Sequence, residues 1–343
     1  MPETAAYTTR PYLPHDEASV LTLLRHVLGT GRAFTRTTDF WRWKHFENPF
    51  GSSLMTVAVN SEVVGLRAFM RWQFRADAMT LSAVRAVDTA THPAHRRSGV
   101  FSMLTSQTVD RARTEGVDLI FNTPNRISLA GYLKLGWTFV GRPRLLVKVL
   151  RPVRVARALL IRREPDARAG EAAWALSLPQ PDALCLREDL GTLLGHNDQS
   201  CGGRIRTIRT VEFLRWRYCH TPSLPYHACW REGPHLAAAA ILRPSHRRGL
   251  REILLSELLL TDGTRHQATA MLSEVLRSTN ADYVLAHAPA RSVHEHVLRT
   301  AGFLPVPRIG PYLTVRPLSP AGTEATATAM ARWHLSMGDL EVF

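Results

Sequence analysis

The stretch HPAHRRSGVF (92–101) sets two arginines and a glycine between an alternating apolar segment and an amphipathic one. We predict that the apolar segment is a strand and that 100–115 is a helix ending at a glycine. The first main-chain N–H groups of a helix have no intrahelical partner and, with the helix dipole, attract anions. Gly99 lets the backbone approach a ligand, and Arg96 and Arg97 add positive charge. The loop therefore suits a pyrophosphate, although an ordinary turn with surface arginines has the same pattern.

This loop resembles the acyl-CoA loop of the GNAT N-acyltransferase superfamily. In that family Arg/Gln-x-x-Gly-x-Gly/Ala follows the fourth strand, and Arg96-x-x-Gly99 matches it here. Phe101 departs from the pattern, because a small residue is usual at its position. The resemblance is good over about 10–150 and faint over about 204–316. It implies an α/β (α+β) fold of two GNAT-like domains, each with a mixed, mostly antiparallel central sheet flanked by helices.

The resemblance also implies roles for single residues. Tyr132, on the helix after the fifth strand, is the candidate general acid that protonates the departing thiolate; a buried aromatic is the alternative. The main chain near Val87 to Thr89 would bind the oxyanion where the fourth and fifth strands separate. Asn125 would bond the cofactor arm, or it caps a helix. Residues assigned to acyl-CoA binding are Val87, Thr89, Arg96, Arg97, Ser98, Gly99, Val100, Phe101, Asn125 and Ser128.

Asp88 is one candidate for the general base. It lies on the central strand just before the loop. Strand alternation places it on the face of Val84, Ala86 and Ala90, which points into the expected cleft. The alternative is a structural carboxylate paired with Arg85 or Arg97.

The chain end is the second candidate for the base. The last residues, WHLSMGDLEVF (333–343), concentrate Asp339, Glu341 and the α-carboxylate of Phe343. Some tandem relatives thread a terminal carboxylate into the active site. A frayed terminus is the alternative, but the segment is more apolar than frayed ends usually are.

An internal repeat predicts that the fold is duplicated. The sequence FWRW at 40–43 recurs as FLRW at 213–216, and the predicted elements that follow each of these motifs come in the same order. The second copy lacks the Arg-x-x-Gly pattern over 261–267, and Leu298 occupies the position equivalent to Tyr132. We therefore expect one active acyl-CoA site, in the first half.

These observations give a predicted division of the chain. We expect a catalytic acyl-CoA-binding domain over 1–150 and a basic linker or surface helix within 151–203. A degenerate GNAT-like domain over 204–316 would shape the acceptor site, and a C-terminal tail would follow over 317–343.

Composition limits the class of protein and its partners. The chain has 343 residues, a net charge of +14 and four cysteines without a C-x-x-C pair, so neither a zinc site nor a dithiol motif is expected. It has no apolar run of about 18 residues and no signal-peptide pattern at its start, so we expect a cytoplasmic protein without a membrane partner. The positive field should attract acidic partners. The charge is spread along the chain, which argues against nucleic acid.

The leading functional hypothesis is an N-acetyltransferase that moves an acyl group from acetyl-CoA, or another acyl-CoA, to the amine of a small molecule or peptide, with no metal. One alternative uses a longer acyl chain, carried by CoA or by an acidic acyl carrier protein. A third hypothesis, from another class, is a non-catalytic acyl-CoA sensor or a nucleic-acid-binding protein.

Overall fold

The computed structural model describes residues 7–29, 36–160, 174, 176–307, 309–326 and 329–341. Its strands are β1 (Thr8–Pro11), β2 (Leu54–Asn60), β3 (Glu62–Ala76), β4 (Met79–Thr91), β5 (Leu119–Asn122), β6 (Thr138–Gly141), β7 (Leu145–Val149), β8 (Ile205–Thr207), β9 (His227–Glu232), β10 (Leu236–Arg247), β11 (Leu250–Leu259), β12 (Tyr283–His287), β13 (Leu304–Pro305), β14 (Leu313–Pro317) and β15 (Trp333–His334). Its α-helices are α1 (Glu17–Leu28), α2 (Thr38–His45), α3 (Val100–Thr114), α4 (Arg126–Lys134), α5 (Pro152–Leu160), α6 (Pro181–Cys185), α7 (Leu190–Ser200), α8 (Val211–Leu214), α9 (Arg265–Ser278), α10 (Val293–Thr300), α11 (Pro320–Ala325) and α12 (Met337–Leu340). A π-helical turn, Arg215–Cys219, continues α8.

Two mixed sheets organise these elements. The nine-stranded sheet has the order β1-β2-β3-β4-β5-β14-β6, with β8 paired to β3 and β15 paired to β8. The six-stranded sheet has the order β13-β7-β12-β11-β10-β9. In both sheets three antiparallel strands lead to one parallel pair, β4/β5 in the first and β11/β12 in the second. The two sheets therefore repeat one strand arrangement, and the predicted fold class is confirmed.

The two halves of the chain exchange strands between the two sheets. The segment 137–150 divides into β6 in the first sheet and β7 in the second. Gly141, with a φ of 156°, and Pro143 interrupt it between these strands. Conversely, β14 comes from the second half of the chain and fills the gap between β5 and β6. Each sheet is thus completed by a strand from the other half.

The two repeated aromatic sequences, FWRW and FLRW, contact each other where the two halves pack together. Trp43 of α2 and Trp216 of the π-helical turn stack with ring centroids 5.1 Å apart. Each indole N–H donates to the main-chain carbonyl of the other tryptophan, at 2.7 and 2.9 Å. Both side chains are buried. These two positions of the FWRW and FLRW words therefore form a pseudo-symmetric contact of the core.

The basic segment after β7 begins as a surface helix. None of the residues of α5 is buried, which agrees with one of the two interpretations of this segment. The rest of its basic run, 161–170, lies outside the described residues. Within the described ranges, no helix has the length and apolar character needed to cross a membrane.

Candidate functional site

A β-bulge interrupts β4 at the point where its polar residues begin. Arg67 of β3 lies opposite two residues of β4, Asp88 and Thr89, because the register shifts there. Asp88 has a φ of 38°, in the left-handed region. The ladder between β4 and β5 ends at the pair of Arg85 and Phe121. Beyond that pair the two strands separate, so main-chain groups near the bulge have no sheet partner on that side.

The loop between β4 and α3 has the conformation that its glycine allows. Gly99 is the N-cap residue of α3 with a φ of 82°, and a Cβ built on it would meet no atom within 4 Å. Residues 96–99 are exposed. The Ser98 hydroxyl donates to the main-chain oxygen of His95. The start of α3 therefore presents free N–H groups to solvent beside two arginines.

Tyr132 reaches the bulge from α4. Its side chain is 6% exposed, and its hydroxyl accepts a hydrogen bond of 2.9 Å from Nη1 of Arg67. The same nitrogen donates to Oγ1 of Thr89 at 2.5 Å. The guanidinium of Arg67 thus connects the phenol of Tyr132 with the hydroxyl of Thr89, one of the two residues at the bulge.

Comparison with known proteins agrees with this geometry. A family model described as an acetyltransferase (GNAT) domain matches residues 10–140. Residues 10–140 are therefore similar to a GNAT acetyltransferase domain. That family supports an N-acyltransferase activity for the protein with acyl-CoA as the co-substrate. No curated protein matches the chain.

Solved structures resemble the whole chain in fold. A GCN5-related N-acetyltransferase from Anabaena variabilis has a TM-score of 0.64 at 10% identity, covering 92% of this chain and 74% of the other. A probable N-acyltransferase from Enterococcus faecalis gives 0.63 at 11% identity, with 91% and 73% covered. A GCN5-related N-acetyltransferase from Kribbella flavida gives 0.59 at 13% identity, with 94% and 74% covered. The likeness extends beyond the GNAT domain into the second half.

Arg67 is the residue of the GNAT domain that sequence analysis missed. Its side chain is fully buried, and its Nε and Nη2 atoms have no hydrogen-bond partner among the described residues. None of the described carboxylates forms an ion pair with it. The rings of Phe69, Tyr132 and Phe101 surround its guanidinium at 4.8, 5.1 and 5.6 Å. The sequence does contain a sign of this residue, because Arg67 interrupts the otherwise apolar stretch VVGLRAFM.

Phe101 has a packing role that accounts for its departure from the family pattern. Its ring meets Tyr132 edge-on at 6.1 Å and lies near the guanidinium of Arg67. Phe101 thus covers the phenol from the side of the loop. A small residue here would leave this contact unfilled.

Asp88 lies on the other face of the GNAT sheet from the predicted one. Val84 and Ala86 pack in the cluster that contains Tyr132, whereas the Asp88 carboxylate meets α2. The extra residue of the bulge reverses the alternation that the prediction assumed. Its partners are also not Arg85 or Arg97.

The Asp88 carboxylate is the centre of a buried ion-pair cluster. Lys44 Nζ lies at 2.5 Å, His45 Nε2 at 3.1 Å and Arg36 Nε at 3.8 Å. Burial by itself raises the pKa of Asp88, but Lys44 and His45 outweigh it and hold the pKa far below its usual range. Burial lowers the pKa of Lys44 and of His45, against the effect of Asp88. A carboxylate held in this way is a weak proton acceptor.

Asn125 and Ser128 are engaged with each other at the start of α4. Asn125 is the N-cap, and its Oδ1 accepts from the main-chain N–H groups of Ile127 and Ser128 at 2.9 Å each. The Ser128 hydroxyl donates to the same oxygen at 3.1 Å. Their described bonds are those of a helix cap, and Asn125 remains exposed.

The C-terminal segment is ordered into the core as far as Glu341. Asp339 accepts from Arg209 at 2.7 Å and from Thr207 at 2.8 Å. Glu341 accepts from Tyr226 at 2.9 Å and from Arg243 at 3.0 Å. Phe343, the candidate terminal base, lies outside the described residues.

The equivalent cleft in the second sheet is occupied by the chain itself. Side chains from His334 to Met337 line the gap beyond the paired part of β11 and β12. Leu298 is buried in the second core. The imidazoles of His287 and His294 also face this gap, and burial lowers their pKa values to about 4 and about 3. Among the described residues of this half, no phenol stands where Tyr132 stands in the GNAT domain.

Proposed function

We propose that the protein transfers an acyl group, acetyl in the simplest case, from coenzyme A to a primary amine that attacks the thioester directly. The observation that carries this proposal is that three features meet at one end of β4. They are the bulge with its separated strands, the glycine-started helix with its arginines, and the buried phenol of Tyr132.

The donor would bind along the opened edge of β4. The N–H groups at the start of α3, with Arg96 and Arg97, would hold the diphosphate of coenzyme A. Asn125 and Ser128 would border the pantetheine arm. The thioester oxygen would accept from main-chain N–H groups near Val87 to Thr89 as its negative charge develops.

Tyr132 would act as the general acid. The amine nitrogen forms a bond to the carbonyl carbon, the carbon–sulfur bond breaks, and the phenol gives its proton to the departing thiolate. The proton that the amine loses then restores the phenol. Arg67 would stabilise the phenolate between these events through the hydrogen bond that it already donates.

Asp88 would be a positioning residue for this reaction. Its ion pair with Lys44 holds α2 against the bulge, and its low pKa makes it a poor base. The bulge itself would then depend on this pair, because Asp88 keeps a strained left-handed conformation.

We propose that catalysis belongs to the first half of the chain, over 1–150, and that the degenerate half, 204–316, shapes the acceptor side. Two observations support this division. The second cleft is lined by residues of the tail and by no tyrosine among the described residues, and the tail pairs through β15 with β8 and through Asp339 and Glu341 with Arg209 and Arg243.

The test is intact-mass analysis and thiol release with a panel of acyl-CoAs and amines. We expect one amine class to gain the mass of the acyl group with stoichiometric release of coenzyme A. Tyr132→Phe should lower kcat by about 10²-fold or more with little change in coenzyme A binding. Tyr312→Phe is the matched control, because the phenol of Tyr312 also lies beside an arginine and an aromatic ring, those of Arg142 and Phe139.

Two results would contradict the proposal. Tight coenzyme A binding without turnover of any amine would favour a sensor. Salt-sensitive retention on DNA without thioester cleavage would favour a nucleic-acid-binding protein.

A further inference from the structure

Two cysteines that are distant in the sequence meet at the edge of the larger hydrophobic core. Cys185 ends α6, and Cys219 ends the π-helical turn 34 positions later. Their sulfur atoms lie 3.5 Å apart, which is van der Waals contact and leaves no room for another atom between them. Cys185 is buried, whereas Cys219 is half-buried and reaches solvent. The fold thus creates a dithiol that the sequence, which has no C-x-x-C pair, does not reveal.

Main-chain contacts hold the two sulfurs beside each other. Nη2 of Arg215, at the start of the π-helical turn, donates to the main-chain oxygen of Cys185 at 3.0 Å. The N–H of His220 donates to the main-chain oxygen of Arg215 at 2.9 Å and closes the turn next to Cys219. The sulfurs need to approach by only about 1.5 Å to reach a disulfide bond length of about 2.05 Å. A movement of this size leaves both elements in place.

The two thiols differ in their readiness to ionise. The S–H of Cys219 donates to the Cys185 sulfur, and this bond lowers the pKa of Cys185, with Arg215 acting in the same direction against burial. The same bond, together with burial, raises the pKa of Cys219. The pair therefore loses its first proton from Cys185 and keeps the second on Cys219. Burial raises the pKa of Cys201 and of Cys229 to about 12, which makes these two thiols poor nucleophiles.

We propose that Cys185 and Cys219 are the site of a reversible disulfide, which a peroxide forms and a small thiol reduces again. This inference does not depend on the proposed acyltransferase function.

The chemistry takes two steps. In the first, the Cys185 thiolate accepts the Cys219 proton while the Cys219 sulfur, which solvent reaches, bonds to one oxygen of hydrogen peroxide. The O–O bond breaks, and the departing hydroxide takes the proton from Cys185 and leaves as water. In the second step the Cys185 thiolate bonds to the Cys219 sulfur, the S–O bond of the sulfenic acid breaks, and hydroxide leaves. The two sulfurs lose two electrons, and the peroxide gains them.

The bond would join α6 to the turn through which the two halves pack together. The same turn carries Trp216, whose indole stacks on Trp43 of α2. A link between Cys185 and Cys219 closes a loop that spans 34 positions and restricts the unfolded chain. Oxidation should therefore stabilise the folded protein.

The test is oxidation of the purified full chain with a small excess of hydrogen peroxide, followed by intact-mass analysis and peptide mapping without reductant. We expect a loss of about 2 Da, a crosslink between the peptides that contain Cys185 and Cys219, and full reversal by dithiothreitol. The oxidised protein should melt about 5 °C above the reduced one.

Single substitutions assign the effect to this pair. Cys219→Ser and Cys185→Ser should each abolish the crosslink and the rise in melting temperature. Cys201→Ala and Cys229→Ala are the matched controls, because they leave the pair intact and should still form the bond. Melting temperatures of the reduced variants check the fold, and Cys219→Ser should fold because that side chain is only half-buried.

Several results would overturn the inference. Retention of all four thiols, a link to another cysteine or a link between two chains would each do so. Sulfinic acid at Cys219 without a crosslink would show that the two sulfurs do not meet in solution. A melting temperature that does not rise would show that the bond forms only by pulling the π-helical turn out of its native position.

Discussion

Replacing Arg67 with methionine should separate stability from activity in the GNAT domain. The side chain is fully buried, and two of its three nitrogens have no partner among the described residues. Its remaining bonds go to Tyr132 and Thr89. We predict that the Arg67→Met protein is at most about 1 kcal/mol less stable than the wild type and is a much poorer enzyme.

The magnitude follows from two opposing effects. Exchanging a buried charge for an apolar side chain of similar length stabilises proteins by about 1–4 kcal/mol. Losing the hydrogen bonds to the two hydroxyls costs about 1 kcal/mol each. The expected net change in the free energy of unfolding therefore lies between about −1 and +2 kcal/mol. Without a guanidinium to stabilise the phenolate, kcat should fall about 10- to 100-fold.

The assay is a double-mutant cycle with Tyr132→Phe. Thermal or denaturant unfolding gives the stability, and coenzyme A release gives kcat and KM for the acyl donor. If Arg67 acts through Tyr132, then Arg67→Met should have little further effect on kcat in the Tyr132→Phe background. Arg67→Lys, which keeps a charge, should recover part of the rate.

Two results would refute this reasoning. A loss of more than about 3 kcal/mol in Arg67→Met would show that the arginine is a structural group whose removal disrupts the core. Additive losses of kcat in the double variant would show that Arg67 and Tyr132 act independently.

Three further predictions concern the elements around the site. Asp88→Asn removes the carboxylate from the buried ion pair with Lys44 and should destabilise the protein by about 3–5 kcal/mol in denaturant unfolding. Because the pKa of Asp88 is depressed in the folded state, its contribution is present above the ordinary carboxyl pKa near 4 and should be lost as the pH falls below it. Gly99→Ala meets no atom, so the strain of its left-handed φ, about 1–2 kcal/mol, should appear mainly as a higher KM for acyl-CoA. A chain of residues 1–150 lacks β14 between β5 and β6 and should show no cooperative unfolding by circular dichroism.

Controls keep these outcomes interpretable. Asp110→Asn removes a carboxylate that is exposed on α3 and should leave the pH dependence of stability unchanged. Gly116→Ala places the same strain, at a φ of 71°, at the far end of α3, and it should lower stability without raising KM. A cooperative transition in the 1–150 chain would mean that its sheet closes without the exchanged strand.

Much of the local structure was readable from the sequence. The strand before the loop, the helix over 100–115 and the glycine that starts it depend on turn chemistry and periodicity within a few residues. The duplicated order of elements also followed from the repeated words. These features are encoded by neighbours in the chain, so a single sequence suffices to predict them.

The contacts of the site were decided by the tertiary structure. The bulge at Asp88 turned its carboxylate toward Lys44, 44 positions away in the chain, and no local alternation indicates where an extra strand residue falls. The exchange of β7 and β14 and the meeting of Arg67 with Tyr132 each join distant segments. Sequence therefore determined which elements form and where the glycine-started loop before α3 lies. Only packing between strands from both halves decided which charges are buried and what they contact.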